Sequence, residues 1–297
     1  MIIEKILIVE DNKALSKLLA KKIAQNTDFE VDVAHSLKEA QICVGKGNKY
    51  FLALLDLNLP DAPDGEVVDY IISNAQGLPV VLGIGGNNTQ EVISNIKECK
   101  FLDKIEAILS VVPYYNKPNQ EGIYQHYKAI ANSTDKSIIM YNVPGRTGVN
   151  MTPETCIRCA EDFKNIVAVK EASGDVAQAT KLVKNKPSDF VVLSGEDGLT
   201  HPLMALGFEG VISVVANAFP ADFSEMVRLC RKGDFKTANQ LNFKLNDIID
   251  AMFEEGNPAG VKAFLDGMSI IDNNLRLPLV SVSEKHAEII GLLLSKY

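Results

Sequence analysis

The segment FKNIVAVKEASG sets Lys170 at the end of an apolar run and directly before a turn. A lysine held against apolar walls loses hydration, so its ammonium form is disfavoured and the neutral amine becomes a nucleophile toward carbonyl carbons. The same residue could instead be a surface cation with its stem laid along the strand. One run earlier, SIIMYNVPGRTG puts Tyr141 at a strand end and Arg146 in the following loop. A phenol beside an amine can pass protons, and a guanidinium can grip a carboxylate through two parallel bonds. Tyr114 and Tyr115, in SVVPYYNKPNQEG, come from the unit before that. Rings in such a place also plug loops or subunit contacts. Gly195, in LSGEDG, offers bare backbone where a ligand must come close.

A second constellation is acidic. KILIVEDN places Glu10 and Asp11 after one apolar run, and FLALLDLNLPDAPDG places Asp56 after another, with Asn58 close behind. Three carboxylates meeting at strand ends repel one another unless a cation such as Mg²⁺ holds them. Otherwise they solvate a loop rim. Cys156 and Cys159 form a C-x-x-C pattern behind Thr152-Pro153-Glu154, a helix start. With no second Cys or His pair nearby, they read as helix-surface thiols rather than a redox or zinc pair.

Runs rich in Ile, Val and Leu must position these groups, and they alternate with helix-period segments. Strands are expected at Lys5–Val9, Phe29–Val33, Phe51–Asp56, Leu78–Gly83, Ala107–Val112, Ile138–Asn142, Ile166–Lys170, Phe190–Ser194 and Val211–Val215. Their near-continuous apolarity suits a parallel sheet covered by helices. Asn12–Ala24 reads as one such helix. After Pro220 the strands stop, and Asp222–Arg231, Phe235–Phe253, Pro258–Met268 and Ser283–Ser295 form a helical appendage. A closed (β/α)8 barrel needs eight strands, one fewer than the sequence offers.

The 297 residues are 46% hydrophobic and 23% charged, with a net charge of −8. That balance fits a globular core and argues against nucleic acid or an anionic membrane as partner. No apolar run approaches the ~18 residues of a spanning helix. Five scattered cysteines suit reduced thiols and a cytoplasmic setting.

Two resemblances follow from these motifs. Over about residues 1–77 the chain resembles the receiver domain of bacterial response regulators, a flavodoxin-like fold. There Glu10 and Asp11 match the acidic pair, Asp56 the phosphoacceptor, and Asn58 the residue whose backbone completes the Mg²⁺ site. The receiver's fourth-strand hydroxyl is replaced by Ile84, and no fifth receiver strand follows.

From about Leu78 onward the chain resembles the dihydrodipicolinate synthases of the class I aldolase and N-acetylneuraminate lyase superfamily, through PYYNKP, YNVPGRTG, KEASGD, GVISV and GNPAGVK. That resemblance implies that Lys170 forms a Schiff base with pyruvate and that Tyr141 relays protons, with no metal required. It further implies that Arg146 binds aspartate semialdehyde and that Ile212 contacts pyruvate. Tyr115 would reach into a neighbouring subunit's site, as in a homo-oligomer. Tyr114, Asn87 and Glu91 match positions that bind feedback lysine in some members. The family's Gly-Thr-Thr-Gly-Glu turn occurs nowhere in the sequence.

Each resemblance lacks its complement, so the expectation is an engineered chimera. Receiver-like units (1–77) would replace the start of a synthase barrel (78–221), followed by C-terminal helices (222–297). The fold expected is an α/β barrel of TIM type with nine parallel strands in one ring. The order of the first strands would be 2-1-3, and the lyase activity weakened or lost. A phosphoacceptor module at Asp56, or a scaffold without biochemical function, are the other readings.

Overall fold

A computed structural model describes residues 5–9, 20, 30–45, 50–55, 61, 70, 80–100 and 102–297. Two compact units divide it: Met1–Val80 with Asp103–Glu106 and Met268–Asp272, and Val81–Leu102 with Ala107–Gly267 and Asn273–Tyr297.

The first unit contains the parallel strands β1 (Lys5–Val9), β2 (Glu30–Ala34) and β3 (Tyr50–Leu55), in the spatial order β2-β1-β3. Ile6 of β1 faces Val31 across one ladder and Leu52 across the other. Helix α1 (Leu37–Gly45) follows β2 and buries Ala40 and Val44. Its first-turn N–H groups lack helical acceptors and must find others. Ser36 Oγ accepts the Glu39 N–H at 3.1 Å, while the Asp61 carboxylate accepts those of Leu37 and Lys38 at 2.8 and 3.0 Å. These bonds, Lys38's first, hold the Asp61 carboxyl below the usual carboxylate range. The expected helix Asn12–Ala24 lies almost wholly outside the described residues, and Glu10, Asp11, Asp56 and Asn58 lie outside them altogether.

The second unit alternates β4 (Val81–Gly83), α2 (Thr89–Glu98), β5 (Ala107–Val111), α3 (Gln120–Ala131), β6 (Ser137–Asn142), α4 (Pro153–Asp162), β7 (Ile166–Glu171), α5 (Val176–Asn185), β8 (Val191–Ser194), α6 (Thr200–Leu206) and β9 (Gly210–Val211). The six strands are parallel and lie side by side in sequence order, the arrangement that successive right-handed βαβ crossovers build. Helix starts are marked by polar caps. Asn88 accepts the Gln90 N–H at 3.1 Å, Asn119 that of Gly122 at 2.9 Å, and Asp175 those of Ala177 and Gln178 at 2.8 and 3.0 Å.

Alternation along each strand sorts residues between two faces. Ala107, Ile139 and Ala168 form a cluster with Leu109, Val167 and Val191 packed against it. Ile108, Ile138, Val169 and Val192 are all fully buried, as are Ile123, Tyr127 and Ile130 of α3. Cys156 and Cys159 are buried in α4 rather than set on a helix surface. Burial pushes both thiols up, Cys159 to about 12. As protonated, water-excluded groups they act as small hydrophobes.

Beyond β9 come α7 (Pro220–Arg231), α8 (Phe235–Glu254), α9 (Ala259–Gly267) and α10 (Glu284–Lys296). α9 crosses α8 closely at Gly260, where a Cβ would fall 1.9 Å from the Met252 carbonyl oxygen. His286 Nε2 lies 2.7 Å from the Ala251 carbonyl and ties α10 to α8.

Strands lie at all nine expected places among the described residues, though the last is only Gly210–Val211 where Val211–Val215 was expected, and the single nine-membered ring is not the arrangement. Hydrogen bonding divides them into a sheet of three and a sheet of six. Within the first sheet the expected order 2-1-3 is present, with β1 between β2 and β3.

Candidate active site

Tyr141 and Lys170 sit opposite each other in the β6–β7 ladder, and Lys170 faces Leu193 of β8 in turn. They share a face, whereas their chain neighbours Asn142 and Glu171, also cross-strand partners, take the other. Lys170 is only 9% exposed, and its Nζ lies 4.3 Å from the centroid of the Tyr141 ring. Burial pulls the Lys170 ammonium down from the ordinary lysine range, Asp197 opposes the shift, and Arg146 adds to it. With so little of the residue exposed, Lys170 is not a snorkelling surface cation. Burial likewise pushes the Tyr141 phenol up, eased by Arg146 and reinforced by Glu196 and Asp197.

Gly195 is required by this packing. A Cβ there would lie 2.8 Å from Lys170 Cε and from Ala172 Cβ. The Gly195 N–H donates to the Glu171 carbonyl at 2.8 Å, and the Ile212 N–H to the Ser194 carbonyl at 2.9 Å. Both residues thus extend the ladder at the carboxyl ends of the strands, where parallel α/β sheets place their chemistry.

Arg146 lies exposed in the short helical turn Pro144–Thr147 and donates from Nη2 to the Asn257 carbonyl at 3.2 Å. Tyr115 is 87% exposed with φ 70°. Its N–H donates to the Thr147 carbonyl at 3.2 Å, which places the loop after β5 beside the turn that carries Arg146. Tyr114 is also exposed. Asn87 accepts a bond from Asn116 Nδ2 at 2.9 Å, and Glu91 lies exposed in the first turn of α2.

Two groups of functional interest lay hidden in the quoted motifs. Asp197, two residues after Gly195, is 2% exposed and accepts the Val214 and Val215 N–H groups at 2.8 and 2.9 Å. Glu171 is 4% exposed. Its carboxylate accepts Asn142 Nδ2 at 2.9 Å, Gln178 Nε2 at 3.3 Å and the Ser173 N–H at 2.6 Å. The local signal for Glu171 was an acid directly after the suspected strand-end Lys170, whereas Asp197 stands one residue further from Gly195, behind Glu196.

A model of the dihydrodipicolinate synthetase family matches residues 63–296. The chain belongs to that family. A relative from Parabacteroides distasonis named 4-hydroxy-tetrahydrodipicolinate synthase is 46% identical over 271 residues, 91% of this chain and 85% of its own. Among solved structures, the dihydrodipicolinate synthase of Thermotoga maritima superposes with a TM-score of 0.75 at 34% identity, covering 100% of this chain and 99% of its own. The Acinetobacter baumannii dihydrodipicolinate synthase, described as complexed with pyruvate, gives 0.74 at 33% identity, over 99% and 98% of the two chains. The fold is therefore the TIM-barrel fold of this family, with parallel strands and C-terminal helices.

These likenesses overturn the chimera. The family match begins at residue 63, inside the stretch assigned to a receiver, and the relatives run across nearly the whole chain. Apolar strands ending in acids recur throughout parallel βα proteins, so Glu10, Asp11, Asp56 and Asn58 did not distinguish a receiver from a barrel. The flavodoxin-like fragment, the phosphoacceptor at Asp56 and the Mg²⁺ site rested on that resemblance and fall with it. Among the described residues no cluster of His, Cys, Asp and Glu could hold a metal ion, and no helix is long and apolar enough to cross a membrane.

Proposed function

We propose that the chain is a lyase that builds a Schiff base between Lys170 and pyruvate, and that aspartate semialdehyde is the second substrate. The observation that carries the proposal is the buried Lys170 amine set 4.3 Å from the Tyr141 ring centroid, in a chain of this family. The pyruvate described in the Acinetobacter baumannii relative supports the choice of keto acid.

In this reading the neutral Lys170 amine adds through its lone pair to the keto carbon. The former carbonyl oxygen takes two protons and leaves as water, and nitrogen remains doubly bonded to carbon as a cationic iminium. Loss of a proton from the adjacent methyl gives an enamine, whose carbon attacks the aldehyde and forms the new C–C bond. Tyr141 moves the protons, held by its place in the ladder beside Lys170. Arg146, anchored by the Asn257 carbonyl, binds the aldehyde's carboxylate. Gly195 and Ile212 line the keto-acid pocket. Tyr115, projecting far into solvent, serves a neighbouring subunit's site in a homo-oligomer, and Tyr114, Asn87 and Glu91 form a site for feedback lysine.

The sequence lacks the family's Gly-Thr-Thr-Gly-Glu turn. We therefore expect Schiff-base formation to survive better than the complete condensation. A coupled assay with pyruvate and the semialdehyde tests the assignment. Lys170→Ala should abolish turnover, and Tyr141→Phe should lower kcat by roughly 10²–10³. Turnover that persists in the Lys170→Ala protein would remove the proposal.

A further inference from the structure

The chemistry above gives no task to Asp197. This residue opens the 3-10 turn Asp197–Leu199 that follows β8, and it is 2% exposed. Its Oδ2 accepts the N–H groups of Val214 and Val215 at 2.8 and 2.9 Å, so one carboxylate spans the ends of β8 and β9. Its Oδ1 is shut away from solvent and meets no hydrogen-bond donor. A buried carboxylate oxygen left in that state is costly unless a positive charge stands near it. Burial pushes the Asp197 carboxyl up, hydrogen bonds from Val215, Ser213 and Val214 and the charge of Lys170 oppose that shift, and Asp197 in turn opposes the fall of the Lys170 ammonium. Bare Gly195, two residues before Asp197, leaves room for the lysine stem.

We propose that Asp197 is a positioning residue of the site, a fixed counter-charge to the Lys170 nitrogen both as ammonium and as the iminium formed with the keto acid. This rests on the Schiff-base reading. Iminium formation turns a neutral amine into a cation in a place that disfavours charge. An anion already held by two backbone N–H groups offsets that cost without having to reorient. The other charged group acting on Lys170 is Arg146, which has the wrong sign for the task. Glu196, next to Asp197, acts on Tyr141 instead.

The test follows borohydride-trapped pyruvate adduct against pH on the full chain. Asp197→Asn keeps the size of the side chain, and its amide oxygen can still accept from Val214 and Val215. Two changes are expected together. The acid limb of adduct formation should move down by roughly one pH unit, because the amine sheds its proton more easily, and the adduct at saturation should fall several-fold, because the iminium has lost its partner. Asp197→Glu, which keeps the charge, should return the limb toward that of the unaltered protein. A merely structural residue would lower the yield and leave the limb in place, so an unmoved limb in folded Asp197→Asn protein overturns the proposal. Should that variant not fold, Asp197→Ser carries the same expectation. Absence of adduct in the unaltered protein at every pH would instead show that the Schiff-base reading itself had failed.

Discussion

A buried amine can reach a substrate only if its stem has space, and at Lys170 that space is the missing side chain of Gly195. Gly195→Ala should cost stability, because its Cβ would meet the rigid Ala172 Cβ and the Lys170 stem at 2.8–2.9 Å. It should also push the Lys170 amine out of line with Tyr141. We expect kcat/KM to fall at least tenfold, about 1.4 kcal/mol of transition-state stabilisation, with a lowered melting temperature. Steady-state kinetics beside a thermal melt checks this, and unchanged kinetics would argue against the packing role. Lys170 and Tyr141 were legible in the sequence because each ends an apolar run. Asp197 was not, since its bonds come from backbone 17 and 18 residues further on. Glu171 hid for a similar reason: its donors lie on three different segments.

Among the elements, the junction of α2 and α3 has a built-in acid sensitivity. His126 is 3% exposed, its Nδ1 lies 2.8 Å from Thr89 Oγ1, and its Nε2 has no hydrogen-bond partner. Burial pulls the imidazole from 6.5 down to about 4. The folded-state value is thus depressed, so the unfolded chain binds the extra proton first. Stability is complete above pH 6.5 and drains away as pH falls toward 4, by roughly 2–3 kcal/mol at pH 4.5. Denaturant unfolding at pH 7 and at pH 4.5 should show that loss, and His126→Phe should remove most of it. An equal loss in both proteins would contradict the assignment. Strand positions were readable from apolar runs alone, and the start of α4 from Thr152. The division into two sheets was not, because pairing partners are chosen by backbone far away in sequence.

At the scale of the whole molecule, the first 77 residues taught the clearest lesson. Acids after buried strands are common to many parallel folds, and a short run of them named the wrong family. The synthase motifs succeeded because several residues of different chemistry, Tyr141, Arg146 and Lys170 among them, recur together in order. The absent Gly-Thr-Thr-Gly-Glu turn makes full turnover a poor first question and covalent capture a better one. The most direct measurement is therefore to incubate the protein with pyruvate, reduce it with borohydride and locate the added mass by peptide mapping. The account predicts one pyruvate-derived adduct per chain, on the peptide that holds Lys170 and absent from Lys170→Ala. A folded sample with no added mass, or with the adduct on another lysine, would contradict it.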